Sequence, residues 1–250
     1  MKQGFLIPVY RHAATAGPLA EKLAQTGLPV IVIDDGNSAE EKDCLIHWAA
    51  KTPGLFLVHL EKNMGKGAAV LKGFEKAAQL GLTHVFQIDA DGQHDISRVS
   101  FFLEESAKHP NKIICGYPVF DESAPKHRIR GRKIVKFWAS VCTLSGDLAD
   151  LLCGFRVYPV EASLAAVKSP FFDKRMGFDS EILVRLYWNR VFPVFYPVQV
   201  IYPKDGISNF RAFWDTFNML CMLLPRMLIG FLFRLPRLIV IRKEYGKETQ

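Results

Sequence analysis

Short apolar runs alternate with longer stretches whose apolar positions recur every three or four residues, and this two-beat pattern fills the first half of the chain. The runs predict strands over residues 5–9, 30–33, 55–60, 84–88 and 112–116, and the stretches between them predict helices over 15–25, 39–51, 68–80 and 96–108. Gly27 and Pro29 punctuate the entry to the second strand. Strands separated by single helices imply right-handed crossovers, and therefore an α/β fold with a mostly parallel sheet covered on both faces.

After Tyr117 the rhythm changes. Residues 121–133 are polar, basic and contain proline, which predicts a mobile loop, followed by a helical stretch to about residue 144. A helix is predicted over 178–188, with its acidic residues at the start, and a late strand over 191–202, rich in aromatic and β-branched side chains. From residue 210 onward the chain is amphipathic to apolar. Residues 217–241 approach the length of a membrane span, but Pro225, Arg226, Arg234, Pro236 and Arg237 interrupt them. A central arginine costs about 2.5–3.5 kcal/mol on an insertion scale, so a spanning helix is disfavoured. Two short helices broken near the prolines and lying in the membrane interface are expected instead. A helical hairpin packed on the domain, or on a second copy of the chain in a homo-oligomer, is the other way to cover those side chains.

At 250 residues and 49% hydrophobic content the chain has enough material for one buried catalytic domain plus an appendage. The expected division is a domain over 1–209, with functional halves at about 1–117 and 118–209, and a helical tail over 210–250. The net charge of +7 concentrates at residues 126–136 and again after Pro225, which points to anionic partners. No helix-turn-helix or RNP-like pattern accompanies it, so nucleic acid is not expected; phospholipid surfaces and phosphorylated substrates fit better. Five scattered cysteines without CxxC spacing indicate neither a disulfide framework nor a zinc site, and a reducing compartment. The amino terminus enters a strand with no signal-length apolar core, which predicts residence on the cytoplasmic side.

The chemistry gathers where predicted strands end. Asp89-Ala90-Asp91-Gly92-Gln93 follows the fourth strand and puts two carboxylates and an amide at the carboxyl edge of the sheet, where open α/β sheets bind ligands. Hard oxygen ligands there suit Mg²⁺ or Mn²⁺ shared with substrate phosphates. Asp34-Asp35-Gly36-Asn37 ends the second strand at the same edge. Asn63-Met64-Gly65-Lys66-Gly67 opens a helix and offers backbone N–H groups and an ammonium to an anion, though it is not a Walker A loop.

Together with Pro8-Val9-Tyr10, His94 and Gly154-Phe155-Arg156, these motifs stand in the order seen in family 2 glycosyltransferases of the GT-A fold, and the chain resembles their dolichyl-phosphate mannose synthase-like branch over about residues 5–202. The resemblance implies a Rossmann-like GT-A sheet and an inverting transferase using a nucleotide-diphosphate sugar and a divalent metal. By motif it implies donor contacts at Pro8, Tyr10, Asp34, Asp35, Lys66, Asp89 and Asp91, with Asp89, Asp91 and Gln93 as the metal set. Two departures, Arg11-His12 after Tyr10 and Asn37 in place of the usual serine, leave UDP and GDP both open.

The acceptor side is expected from the second half, in the stretch Gly177-Phe178-Asp179-Ser180-Glu181. Asp179 or Glu181 would serve as general base for a hydroxyl acceptor on a glycan or glycolipid, contributing roughly 10²–10⁴ in rate. A lipid phosphate, with a second pKa near about 6, would need no base, and arginines matter more. Arg156, Arg128, Arg130, Arg132 and Lys133 are the candidates, since guanidinium forks suit phosphate oxygens. The expected function is sugar transfer to a lipid or lipid-linked acceptor, polyprenyl phosphate foremost, at a membrane surface met by the tail. A nucleotidyltransferase lacks its Gly-rich signature here. A membrane-bound scaffold that binds nucleotide sugar without turnover is the reading from another class, against which Asp91 and Gln93 argue.

Overall fold

The computed structural model describes the backbone of residues 1–119, 126–146, 148–168, 172–175, 177–200 and 224–248, and the side chains of those residues other than 126–130, 224–226 and 247–248. Strands β1 (Gln3–Val9), β2 (Val30–Asp34), β3 (Leu55–His59) and β4 (His84–Gln87) alternate with helices α1 (Ala13–Ala24), α2 (Ala39–Lys51) and α3 (Lys66–Gln79). A 3₁₀ turn at Ile96–Arg98 leads into α4 (Val99–Lys108), then β5 (Ile113–Val119) and α5 (Lys126–Thr143). Then come β6 (Arg156–Pro159), α6 (Val160–Ala166), α7 (Phe178–Trp188), β7 (Pro193–Gln199) and α8 (Leu224–Glu248).

The strands form one sheet in the order β3-β2-β1-β4-β6-β5-β7. All described pairings are parallel except those of β6, which runs antiparallel between β4 and β5. The chain builds outward from β1 through β2 to β3, then returns to place β4 on the other side of β1. That reversal is the switch point at which such sheets open a crevice at their carboxyl edge.

Side chains alternate across the sheet as the strand period requires. Phe5, Ile7, Val9, Val30, Val32 and Phe86 face a core under α1, α2 and α4, while Leu6, Ile31, Ile33 and Val85 face a second core with α3 and α5 to α8. Two glycines let elements approach closely. A Cβ on Gly17 would fall 2.2 Å from the Trp48 ring, and one on Gly73 would fall 2.2 Å from Leu6 beneath α3. α2 is capped by Ser38, whose side chain accepts from Glu41 N–H, with Glu40 and Glu41 in the first turn favouring the positive helix end.

Four expectations are corrected. The basic segment is helical from Lys126 onward, and only its start lies outside the described residues. Within the tail, Leu224–Glu248 form one helix that continues through Pro236 rather than breaking there; residues 201–223 lie outside the described residues. β6 and α6 carry no predicted counterpart. The late strand begins at Pro193 rather than at residue 191 and is described to Gln199, residues 201–202 lying outside the described residues. No helix among the described residues is long and apolar enough to cross a membrane.

Gly73→Val forces a branched side chain against Leu6, and overpacking of this kind costs about 1–3 kcal/mol. At roughly 2–4 °C per kcal/mol for a chain of this size, a thermal melt followed by circular dichroism should fall by several degrees; an unchanged melt would mean that α3 moves off β1 freely.

Candidate active site

The reversal in strand order sets β2 and β4 on either side of β1, so their acidic ends lie roughly 10 Å apart across one strand. Insertion of β6 beside β4 pairs Gln87 with Arg156 in register, which brings the Gly154 turn against Asp89. A Cβ on Gly154 would stand 2.4 Å from the Asp89 carboxylate. From the opposite side, the first turn of α7 presents Asp179, and the first turn of α3 presents Lys66.

Lys66 is the junction of these elements. Its Nζ donates at 2.9 and 3.0 Å to the two oxygens of Asp89 and at 2.7 Å to Asp179 Oδ2. Burial works against the ammonium charge, but Asp179 and then Asp89 more than reverse it, and the pKa of Lys66 rises. Burial likewise opposes the Asp89 carboxylate, yet the Lys66 charge holds it well below the usual carboxylate range. Gln87 Nε2 lies 3.4 Å from both Asp89 Oδ1 and Asp179 Oδ1. Asp91 differs: burial and then the charge of Asp89 push its carboxyl up, and its Oδ1 accepts Gln93 N–H at 3.0 Å.

Asp34 and Asp35 are almost wholly buried. Asp34 accepts from Asn37 N–H at 2.9 Å, from the Asn37 amide at 2.7 Å, and pairs with His59 Nδ1 at 2.7 Å. Burial opposes its charge, and the bonds from His59 and Asn37 hold it below its ordinary value. Asp35 accepts from Met64 and Gly65 N–H at 2.7 and 3.0 Å, so these carboxylates clasp the strand ends together. Asn37 also donates to Val9 C=O and accepts from Arg11 N–H at 2.6 Å. The two departures from the family pattern thus meet: Asn37 holds Arg11, whose φ is +61° and whose guanidinium lies over the Tyr10 ring. Pro8, at the β1 end, pairs in register with Ile33.

The second half needs more revision. Arg156 is fully buried, not set in an open acceptor wall: it donates to Asp179 C=O at 2.6 Å and to the Tyr158 hydroxyl at 3.3 Å. It positions the α7 terminus from beneath. Glu181 sits two residues after Asp179 and therefore on another helix face. Its carboxylate accepts from Arg185 at 2.7 Å and from Asp173 N–H at 2.9 Å, so both of its oxygens are engaged. Arg132 pairs with Asp150, whose other oxygen accepts from Leu152 and Cys153 N–H, so its charge is paired within the fold. Lys133 is exposed on α5. The side chains of Arg128 and Arg130 lie outside the described residues.

The glycosyl transferase family 2 profile matches residues 5–163, which carry β2 to β6 and most of β1. The chain belongs to glycosyl transferase family 2. It is 29% identical over 164 residues to a dolichyl-phosphate beta-glucosyltransferase, ALG5D, of Trichomonas vaginalis, covering 62% of this chain and 49% of that protein. It is 24% identical over 187 residues to an undecaprenyl-phosphate mannosyltransferase of Micrococcus luteus, covering 72% and 75%. The chain spans about half the length of the curated relatives it matches first. Glucosyl-3-phosphoglycerate synthase from Mycobacterium tuberculosis, solved with Mn²⁺, UDP-glucose and phosphoglyceric acid, superposes with a TM-score of 0.67 at 14% identity over 90% of this chain and 79% of that one. That likeness establishes the GT-A fold.

In this family 2 chain the donor set of Asp89 and Asp91 fits a divalent cation, since two partly buried carboxylates stand close together, the charge of Asp89 opposes ionisation of Asp91, and a shared positive charge relieves it. Among the described residues no three His, Cys, Asp or Glu side chains form a cage of their own. Sequence reasoning missed Gln87, a polar residue inside an apolar strand.

Removing the junction tests its weight. Lys66→Met leaves Asp89 and Asp179 facing one another without a counter-charge; loss of one partner from a fully buried pair costs about 3–5 kcal/mol, and since Lys66 and Asp89 are partly exposed the cost here is lower, on the order of 1–3 kcal/mol. The midpoint of urea unfolding should drop accordingly; a midpoint equal to wild type would remove the junction from the account of stability.

Proposed function

We propose that the chain transfers a sugar, with inversion, from a nucleotide-diphosphate sugar to a phosphate-bearing lipid acceptor. The observation that carries the reading is the meeting of Asp89, Asp91, Lys66 and Asp179 at the switch-point edge. In inversion the acceptor oxygen bonds to the anomeric carbon from the face opposite the leaving diphosphate, whose bond to that carbon breaks. A divalent cation, Mg²⁺ or Mn²⁺, held by Asp89 and Asp91 with Gln93 alongside, would offset charge on the departing diphosphate. Lys66 adds a fixed positive charge next to that position, and its clamp on Asp179 aligns the start of α7 with the donor.

A phosphate acceptor is supported over a hydroxyl because the carboxylates that could take a proton are committed. Asp179 is held by Lys66, and Glu181 by Arg185 and Asp173. A phosphate monoester with a second pKa near about 6 arrives largely ionised and needs no base. The names of the relatives, which act on dolichyl and undecaprenyl phosphate, support the same class. Radiolabelled UDP and GDP sugars with Mn²⁺ and a membrane lipid extract should give an organic-extractable product with wild type and none with Asp91→Ala. Asp91-dependent release of free sugar without lipid product would overturn the lipid acceptor.

The tail supports a membrane setting for the reaction. α8 packs Met227, Leu238, Ile241 and Tyr245 inward, while Ile229, Leu232, Ile239, Val240 and Phe233, 83% exposed, line the other side. A helix apolar on both sides calls for a second apolar neighbour. Exposed Arg237, Arg242 and Lys243 border that face, and they favour an anionic bilayer over a second, equally basic copy. Wild type should sediment with anionic phospholipid vesicles, and Leu232→Asp with Phe233→Asp should reduce the bound fraction severalfold. Equal sedimentation of the double variant would dismiss this face.

A further inference from the structure

The turn that opens α3 is covered. Ala68 N–H donates to Lys174 C=O at 2.8 Å, and Gly65 and Gly67 lack a Cβ because one would meet Arg175 or Lys174 within 2.9 Å. The segment Asp173–Arg175 therefore seals the backbone groups expected to meet a phosphate. It is itself held: Arg175 N–H donates to Asp173 Oδ1 at 2.6 Å, and Asp173 N–H donates to Glu181 Oε2 at 2.9 Å. Glu181 is 2% exposed and anchored by Arg185. A buried carboxylate is costly to maintain, and this one is engaged in fixing a surface turn.

What that turn displays is a guanidinium. Arg175 is exposed, lies over Gly65, acts electrostatically on Asp35, and among the described residues has no ion-pair partner. Lys66, the other cation of this turn, is bound by Asp89 and Asp179. We propose that Arg175 is the crevice's phosphate-binding residue, presented across the Gly65 turn by a tether running from Glu181 through Asp173. It takes over from the helix terminus that Lys174 occupies, and its planar fork suits phosphate oxygens. The inference rests on the nucleotide-sugar reading, and the phosphate belongs either to the donor diphosphate or to the acceptor.

Wild type, Arg175→Ala, Arg175→Lys and Glu181→Gln would be compared by calorimetric titration with UDP and GDP in Mn²⁺, and by KM for undecaprenyl phosphate in detergent. A charge-assisted hydrogen bond lost from such a contact corresponds to roughly tenfold or more in affinity. Arg175→Ala should weaken either nucleotide binding or acceptor KM by that factor, which identifies the phosphate's source. Arg175→Lys should recover part of the loss. Glu181→Gln should shift the same constant in the same direction by less, with the guanidinium retained. Wild type that binds neither nucleotide would defeat the glycosyltransferase reading itself, whereas wild-type binding with both constants of Arg175→Ala within twofold would overturn the role of Arg175 alone. Because Arg175 is exposed, its alanine variant should melt with wild type, so a loss of binding cannot be ascribed to unfolding.

Discussion

The ammonium of Lys66 is the interaction on which the remainder of the site depends. Three carboxylates, Asp89, Asp91 and Asp179, converge on one sheet edge that is largely withdrawn from water, and like charges in that setting resist ionising together. Lys66 binds Asp89 and Asp179, and Arg156 supports α7 from below by holding Asp179 C=O. The neighbouring small residues follow from this. Gly154 leaves room for the Asp89 carboxylate, and Gly65 and Gly67 let the Asp173 turn close over the helix that carries Lys66.

A division of labour among acidic residues emerges that their motif membership does not disclose. Asp34 and Asp35 belong to a motif read as donor-binding, yet their oxygens are largely engaged in joining β1, β2 and the turn before α3. Glu181 follows the same rule. Asp91, by contrast, accepts one backbone N–H and stands beside a charged neighbour, which makes it the carboxylate with most to gain from a cation. Acidic residues that look equivalent in the sequence thus separate into those that hold the crevice open and those that face what enters it.

The first half of the fold was legible because each element there has a strong period: β1 to β5 and α1 to α4 fall close to their predicted ranges. β6 escaped because four buried residues, RVYP, show neither alternation nor length, and its place in the sheet comes from pairing with β4 and β5. The basic stretch read as a loop because its charges and Gly131 mask a helix that packs through Ala139 and Cys142. In α8, tertiary packing on both sides of Pro236, through Met227 and Tyr245, outweighs the break that a proline favours. Of the site, the strand-end aspartates and Asp179 were visible as chemistry at predicted element ends. The roles of Glu181 and Arg156 were not, since helical phase and burial decide which way they face.

The placement of β6 also bears on which parts of the chain the site is assembled from. β1 to β4 with α1 to α3 form one contiguous stretch of the sequence. Lys66 and Asp89 lie on or directly beside that stretch, but Asp179 reaches Lys66 across a sequence separation of 113 residues. Between them in the chain comes β6, inserted between β4 and β5. The cation and its first carboxylate are thus encoded together, and the second carboxylate is supplied from a distant part of the sequence, so a chain that stopped short of α7 would keep Lys66 beside Asp89 and lack the partner that completes the cluster.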